Sequence, residues 1–314
     1  SPSEMARDPS PDLDGFREAV REVREKSQES RRSEPARDSR QRDEGRTLSR
    51  LPEVQESRPR EVPPKEARTV LYDRYRAYDL RESEAQTLTD LGKFRVVAAD
   101  DLARFGYDGD KRRMEQETTN LIRQGLAEEK RVEVSLSRTS RIYTLTNTGR
   151  SLLLKSGRVA REQEIYSGFA KPKEAKHDSE LYRLYQKESS RIEARGGRVR
   201  RVVLDYELKK KVNRDLVRLG REKDDPVRKQ EVAERHGLRA VQGRIPVPDM
   251  QIEYEMPEQG IARVNLELTT GDYRPRQLAE KARAGFTMYS HGDDASRVHR
   301  ILNDRELTAE ILSL

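Results

Sequence analysis

Two carboxylates stand on neighbouring alternating segments in the C-terminal part of the chain. Asp249 follows a proline and heads a segment in which every second residue is apolar, and Glu267 lies inside a second such segment, residues 262–270. This alternation predicts two half-buried β-strands. Carboxylates on adjacent strands can hold Mg²⁺ or Mn²⁺ beside a phosphate, because these ions prefer hard oxygen ligands. The pair is therefore a candidate site for a divalent metal ion.

A second group of polar residues is concentrated on a helix expected over residues 111–124 and on the segment after it. Cationic side chains there can meet phosphates, and Arg, Gln and Asn can read base edges in the major groove of DNA. The candidate DNA-contacting residues are Lys111, Arg112, Arg113, Gln116, Asn120, Arg123, Arg138 and Arg141. The alternative is an ordinary solvated face, since Glu115 and Glu117 dilute the positive charge.

The elements around that helix follow a definite order. The pattern predicts helices over 84–94, 97–105 and 111–124, then strands over 126–136 and 141–145 joined by the polar loop 137–140, and a final helix. A polar loop between two strands just after a helix-turn-helix is typical of winged-helix modules. Over roughly residues 85–155 the chain resembles bacterial winged-helix regulators. That resemblance implies double-stranded DNA as the partner, although such modules also bind proteins.

The C-terminal half alternates helices and strands. We expect an amphipathic helix over 177–195, a strand over 199–206, a charged helix or loop over 208–237, strands over 245–254 and 262–270, and a helix over 276–289. The inward positions of the first helix are Leu181, Leu184, Tyr185 and Ile192. With Pro248-Asp249 heading one strand and Glu267-Leu268-Thr269 on the next, this half resembles the PD-(D/E)xK, or restriction-endonuclease-like, superfamily.

The resemblance implies a role for each site residue. Asp249 and Glu267 would bind Mg²⁺ or Mn²⁺. Thr269 stands where the motif has lysine, so Lys281 on the following helix would assist catalysis. Glu180 on the preceding helix would support the site, with Asp178 as the runner-up. The combination of the two domains also resembles the replication-relaxation family of bacterial mobile elements.

These elements predict an α+β multidomain protein, a winged helix-turn-helix followed by a restriction-endonuclease-like α/β domain with a mixed central sheet. The expected divisions are a charged tail over 1–66 with a helix at 13–30, a winged-helix domain over 67–157, a helical connector over 158–176 and a nuclease-like domain over 177–314. The N-terminal helix has a thin apolar stripe, which is either a docking site for a protein partner or part of a solvated tail.

Composition excludes several other classes of protein. The chain has no cysteine, which removes disulfides, zinc fingers and cysteine nucleophiles, and it has no GxxxxGK[ST] phosphate loop and no HxH pair. Residues 1–66 carry 15 Lys and Arg against 16 Asp and Glu, a net charge of −1, so the remaining residues, with 49 against 41, carry +8. With no apolar run of membrane-spanning length, we expect a cytoplasmic protein of bacteria, associated with the nucleoid or a plasmid and not with a membrane.

Two functions remain from the residues and the resemblance. The first is a Mg²⁺-dependent DNA endonuclease, or a degenerate relative, of a plasmid, mobile element or defence system. The alternative is a non-catalytic DNA-binding protein, either a replication or transfer initiator or a transcriptional repressor, whose C-terminal domain serves for dimerisation or for holding DNA. Thr269 favours the alternative, whereas the matched alternation around Asp249 and Glu267 favours the endonuclease.

Overall fold

The computed structural model describes residues 67–73, 76–135, 138–169, 172–269, 273–305 and 307–314. The chain divides into two units, Ser1–Val62 and Pro63–Leu314, and the described residues belong to the second. The tail expected over 1–66 and its helix at 13–30 lie outside the described residues. None of the described helices has both the length and the apolar character that a membrane span requires.

The first part of the described chain contains four helices and five strands. A hairpin comes first, and helices and short strands then alternate. The elements are β1 (Arg68–Asp73), β2 (Arg76–Arg81), α1 (Glu82–Lys93), β3 (Val97–Ala98), α2 (Ala99–Gly106), α3 (Lys111–Arg123), β4 (Ala127–Ser135), β5 (Arg138–Leu145) and α4 (Asn147–Lys155). Strands β3, β5 and β4 form an antiparallel sheet in that order.

The second part begins with a long helix and contains a five-stranded sheet. Its elements are α5 (Pro172–Ala194), β6 (Arg198–Leu204), α6 (Asp205–Arg218), a 3₁₀ turn (Gly220–Asp224), α7 (Pro226–Arg235), β7 (Met250–Met256), β8 (Gly260–Thr269), α8 (Pro275–Arg283), β9 (Thr287–Ser290), α9 (Gly292–Asn303) and β10 (Ile311–Ser313). The strand order is β10-β9-β8-β7-β6. Strands β6, β7 and β8 are antiparallel neighbours, whereas β8, β9 and β10 are parallel. The α+β class and the mixed sheet are confirmed.

Local sequence explains how α3 is presented. Asp108 and Gly109 adopt the left-handed region, with φ of 51° and 85°, and they turn the chain between α2 and α3. The Asp110 carboxylate then accepts the backbone N–H of Arg113 at 2.9 Å, which satisfies one of the free donors at the helix start. The chain therefore enters α3 at a fixed angle, with the first turn of the helix held in place.

Helix α5 joins the two sheets into one hydrophobic core. The residues expected to face inward, Leu181, Leu184, Tyr185 and Ile192, are all buried, which confirms that prediction. Tyr182 packs edge-on against Phe94 of the first part at 5.4 Å between ring centroids, and its hydroxyl donates to the buried Asp90 carboxylate at 3.0 Å. A side chain of α5 thus anchors α1 through both packing and a buried hydrogen bond.

Four sequence predictions need correction. Residues 97 and 98 form β3 and pair with β5, so the second helix begins at Ala99. Residues 158–169 are turns, bends and irregular chain, and the helix of the expected connector begins only at Pro172. The helix expected over 276–289 ends at Arg283, because Gly285 takes φ of 81° and residues 287–290 become β9. The strand expected from 245 begins at Met250.

Candidate active site and nucleic-acid interface

The register of β7 and β8 brings the two predicted carboxylates together. Met250 pairs with Leu266, so Asp249 and Glu267 are neighbours at the same end of the sheet. The Asp249 N–H donates to Glu267 Oε2 at 3.3 Å, and the Leu268 N–H donates to Asp249 Oδ2 at 2.9 Å. These reciprocal bonds hold each carboxylate in place through the backbone of the other strand.

Glu267 is completely buried and is held by two further side chains. The Tyr273 hydroxyl donates to Oε1 at 2.6 Å, and Lys281 Nζ lies 2.9 Å from Oε1 and 3.0 Å from Oε2. Burial, and next the negative charge of Asp249, raises the pKa of Glu267 to about 7, although Lys281 acts in the opposite direction. The site thus holds a buried acid that is poised between its charged and neutral forms near neutral pH.

Lys281 of α8 lies in the position that the sequence suggested. Its ammonium group donates to the Val247 carbonyl at 2.6 Å as well as to Glu267, so it joins the loop before β7 to the carboxylate of β8. Thr269 faces elsewhere, because its hydroxyl donates to the Tyr289 carbonyl at 3.1 Å in a buried position. Asp249, Glu267 and Lys281 therefore converge.

His177 is the nearest charged neighbour on the other side of Asp249. Its Nε2 lies 3.5 Å from Asp249 Oδ1, and its Nδ1 lies 3.7 Å from Asp178 Oδ1. The carboxylates of Asp178 and Asp249 flank the ring and raise the pKa of His177 to about 10. His177 is therefore cationic at neutral pH, and it forms a bridge between α5 and the sheet.

The acidic residue chosen on α5, Glu180, lies in different surroundings from the carboxylate pair. It approaches His291 Nε2 at 3.4 Å and forms no hydrogen bond or ion pair with Asp249 or Glu267. The runner-up, Asp178, reaches the pair through His177 and is itself held by Arg95 at 3.3 Å. Of the two, Asp178 is the one connected to the site.

The donor set is compatible with a divalent cation of the magnesium type. Asp249 and Glu267 offer hard oxygens from two adjacent strands, and burial, more than the charge of Asp249, raises the pKa of Glu267. The described residues contain no cluster of three or more His, Asp or Glu suited to a metal. Mg²⁺ commonly keeps several water ligands and binds through only one or two carboxylates, so two carboxylates are enough to anchor it.

A cleft of about 530 Å³ opens beside this group. Its lining includes His177 and Asp178 of α5 and Tyr206 and Lys209 of α6. The start of α6 is tied to the site, since the Asp205 N–H donates to the Asp249 carbonyl at 3.0 Å. The cleft is therefore lined by two residues that contact Asp249, namely His177 and Asp205.

The exposed face of α3 is narrower than the sequence suggested. Arg112, Gln116, Thr119 and Arg123 are exposed and follow one another at helical spacing on a single stripe. No side-chain hydrogen bond or ion pair engages Arg112, Gln116 or Arg123 within the part of the chain that the structure describes. These side chains are placed to meet an external ligand.

The remaining predicted DNA contacts are occupied within the protein. Arg113 Nε donates to the fully buried Glu117 at 3.0 Å, and Asn120 donates to the buried Glu84 at 2.6 Å, so both support the interior. Two further cations, the exposed Lys111 and the half-buried Arg141, have acidic partners, and a third side chain is not described. Lys111 pairs with Asp100 at 2.9 Å, Arg141 pairs with Glu115, and the side chain of Arg138 lies outside the description.

Comparison of the chain with protein-family models, with curated proteins and with solved structures found no match. The argument for a function therefore rests on the geometry of the chain itself.

Sequence reasoning missed two site residues, His177 and Tyr273. Tyr273 lies six residues after Glu267, between β8 and α8, and an aromatic hydroxyl just beyond a carboxylate strand is a weak signal. His177 lies 72 positions before Asp249, and no local pattern links the two residues. Only the packing of α5 against the sheet brings them together.

Proposed function

We propose that this chain is a Mg²⁺- or Mn²⁺-dependent DNA endonuclease whose first part binds duplex DNA as a winged helix. The observation that carries the proposal is the convergence of Asp249, Glu267 and Lys281 at one end of a mixed sheet. Two carboxylates from adjacent strands and one lysine are the groups that metal-assisted phosphodiester hydrolysis needs. Bacterial plasmids or mobile elements are the setting that the resemblance to the replication-relaxation family implies.

The side chains divide the chemistry as follows. Asp249 and Glu267 would hold the metal, which supplies Lewis-acid polarisation of the phosphate and a more acidic bound water. Lys281 is fixed by the Val247 carbonyl and by Glu267, so its positive charge is preorganised where negative charge develops on the phosphate. His177 lines the cleft and orients the Asp249 carboxylate from the open side.

The first part supplies the DNA-binding element of the proposal. Three helices and an antiparallel sheet present α3 with an exposed stripe of Arg112, Gln116 and Arg123. Arginine can make bidentate bonds to guanine, and glutamine can do so to adenine, when such a helix enters the major groove. This stripe favours duplex DNA over a protein partner, because it carries two unpaired arginines and no apolar side chain.

The experiment is cleavage of supercoiled plasmid by the full chain in Mg²⁺ or Mn²⁺, comparing wild type with Asp249→Ala and Glu267→Ala. Glu253→Ala is the matched control. Glu253 is an acidic residue of β7 that accepts from Arg263 at 3.1 Å and lies away from the carboxylate pair. The proposal predicts that cleavage is lost in the two site variants, while DNA binding and the activity of the control persist. Absence of cleavage by the wild type, despite tight binding, would reject it.

One observation favours the rival function, a non-catalytic initiator or repressor. Both oxygens of Glu267 are engaged by Lys281, and one of them also by Tyr273. A protein that had lost its metal would keep its sheet together by closing the site in this way. The rival predicts that Asp249→Ala leaves all DNA transactions of the protein unchanged, so the same set of variants separates the two functions.

A further inference from the structure

Helix α6 has an exposed polar face on the side opposite its buried apolar residues. Leu208 and Val212 point inward and pack with α7 and the sheet in a hydrophobic cluster of their own. Tyr206, Lys210 and Arg214 point outward and are exposed. They lie on one side of the helix, and one turn, or about 6 Å along the axis, separates each from the next. We call these three residues the strand face.

The cations of the strand face differ from their neighbours in having no acidic partner. Lys209 pairs with Asp205 at 2.7 Å and Lys211 pairs with Glu207, both within the helix. For Lys210 and Arg214 no ion pair or side-chain hydrogen bond exists among the described residues. Their positive charge is thus available to an anionic partner, and the exposed helix face is complementary in charge to a phosphodiester backbone.

Tyr206 adds an aromatic surface at the end of this face nearest the candidate site. Its side chain is 63% exposed, and it lines the cleft together with His177. The backbone just before it is bonded to Asp249, so the strand face begins at the mouth of the site. An exposed ring beside unpaired cations is the combination that single-stranded nucleic acid binds, by stacking and by charge.

We propose that the strand face holds an unpaired DNA strand whose path leads to Asp249 and Glu267. Lys210 and Arg214 contact successive phosphates, and Tyr206 stacks on a base next to the cleft. An unpaired strand fits better than a duplex, because the faces of duplex bases are covered by their neighbours and one tyrosine at a helix end cannot reach them. That the strand leads to a cleavage site rests on the proposed function, whereas its binding to α6 does not.

This division gives the two parts of the chain different tasks. The stripe of α3 would hold the duplex portion of a DNA substrate, and the strand face would hold an adjoining single-stranded portion. The substrate class is then DNA with a junction between duplex and single strand, such as a flap, an overhang or a melted bubble. A fully paired plasmid would be a poorer substrate than one that carries such a junction.

Fluorescence anisotropy in EDTA with the full chain tests the binding claim without any cleavage. The probes are a labelled single-stranded 20-mer and the matching duplex. Tyr206→Ala is expected to weaken single-strand binding on the order of tenfold and to leave duplex binding within about twofold. Tyr206→Phe keeps the ring and should bind as the wild type does. The matched control is Tyr72→Ala, which removes a tyrosine of similar exposure, 67%, on β1.

The phosphate contacts have their own measurement. Lys210→Ala/Arg214→Ala should lower the slope of log affinity against log salt for the single strand by about 1.4, since each phosphate contact contributes about 0.7. Arg297→Ala/Arg300→Ala on α9 removes two exposed cations at the opposite edge of the sheet and should leave the slope unchanged.

The outcomes separate this inference from the proposed function. The inference is overturned if Tyr206→Ala binds the single strand as tightly as wild type does. It is also overturned if the variant loses affinity for the single strand and for the duplex by the same factor. Loss of cleavage in Asp249→Ala would still support the endonuclease in that case. Conversely, if the strand face binds as predicted but Asp249→Ala cleaves like wild type, the inference stands and the proposed function falls.

Discussion

Replacing Lys281 with methionine removes the cation that faces Glu267 and leaves a side chain of similar length. At pH 6 the pKa of Glu267, about 7, means that this carboxyl is mostly neutral in the folded protein. The variant then loses chiefly the hydrogen bond to the Val247 carbonyl at 2.6 Å. We expect the free energy of unfolding to fall by about 1–2 kcal/mol at this pH.

The loss of stability caused by Lys281→Met should grow as the pH rises. The pKa of Glu267 is raised above its ordinary value, so the folded state binds more protons than the unfolded state in the interval between the two values, and wild-type stability falls as the pH rises from about 4.5 to 7. Without Lys281 the folded-state pKa rises further, so this loss of stability continues past pH 7. The extra cost of Lys281→Met should therefore increase as the pH rises above 7, by at most about 1.4 kcal/mol per pH unit.

Urea denaturation at pH 6, 7, 8 and 9 measures this dependence. The matched background is Glu267→Gln, in which the titrating carboxyl is gone and the cost of Lys281→Met should be the same at every pH. If Lys281→Met, in a chain that keeps Glu267, lowers the free energy of unfolding by the same amount at every pH, the reasoning is refuted. That result would mean that Lys281 and Glu267 do not form the buried pair. A pH-dependent cost that persists in Glu267→Gln would assign the titration to another group.

Three further predictions concern the first part of the chain. Arg123→Ala should weaken duplex binding uniformly and lower the salt slope by about 0.9, measured by anisotropy, if the α3 stripe contacts phosphates. Asn120→Ala should instead cost about 1–3 kcal/mol of stability in urea, because it strips the buried Glu84 of a 2.6 Å hydrogen bond; unchanged stability would remove Asn120 from the interior network. Gly149→Ala should prevent stable folding, because its Cβ would lie 2.0 Å from the Leu126 carbonyl oxygen; normal thermal unfolding would contradict that close approach.

The central carboxylates could be predicted because their signal is local. Alternation over residues 250–254 and 262–270 fixes which side chains share a face, and the turn between the segments makes antiparallel pairing the simplest arrangement. The register then follows, and Asp249 and Glu267 lie at the same end of the strands. Lys281 was identified from the resemblance, and its distance from Glu267 agrees with that prediction.

The wrong sequence predictions have two kinds of cause. Some arise where local helix and strand patterns compete, and others where the structure depends on contacts between residues far apart in sequence. The helix expected over 276–289 overlooked Gly285, whose positive φ ends α8 and allows residues 287–290 to pair with β8. Hairpin β1–β2 was not anticipated, although Leu71, Tyr78 and Leu80 prove to be buried in it. The two strands are only six residues each, so their alternation of apolar and polar residues is too short to predict a hairpin.

The side chains of Arg113 and Asn120 bind buried carboxylates, and this illustrates a long-range effect. In sequence, Glu84 and Glu117 look like solvated acids of two polar helices, yet both are almost completely buried. Once buried, they need donors, and the nearest polar residues of α3 supply them. A pattern of charges along one helix cannot show this, because the requirement comes from the packing of α1 against α3.

The most direct test of the central claim is single-turnover nicking, by the full chain in Mg²⁺, of plasmid DNA that carries a junction between duplex and single strand, with wild type and Asp249→Ala purified identically. The proposed function predicts nicking that EDTA abolishes and that Asp249→Ala slows by about a hundredfold or more, with DNA affinity unchanged. Equal nicking by both proteins, or none by either while both bind DNA, would contradict the assignment of Asp249 and Glu267 as a catalytic metal site.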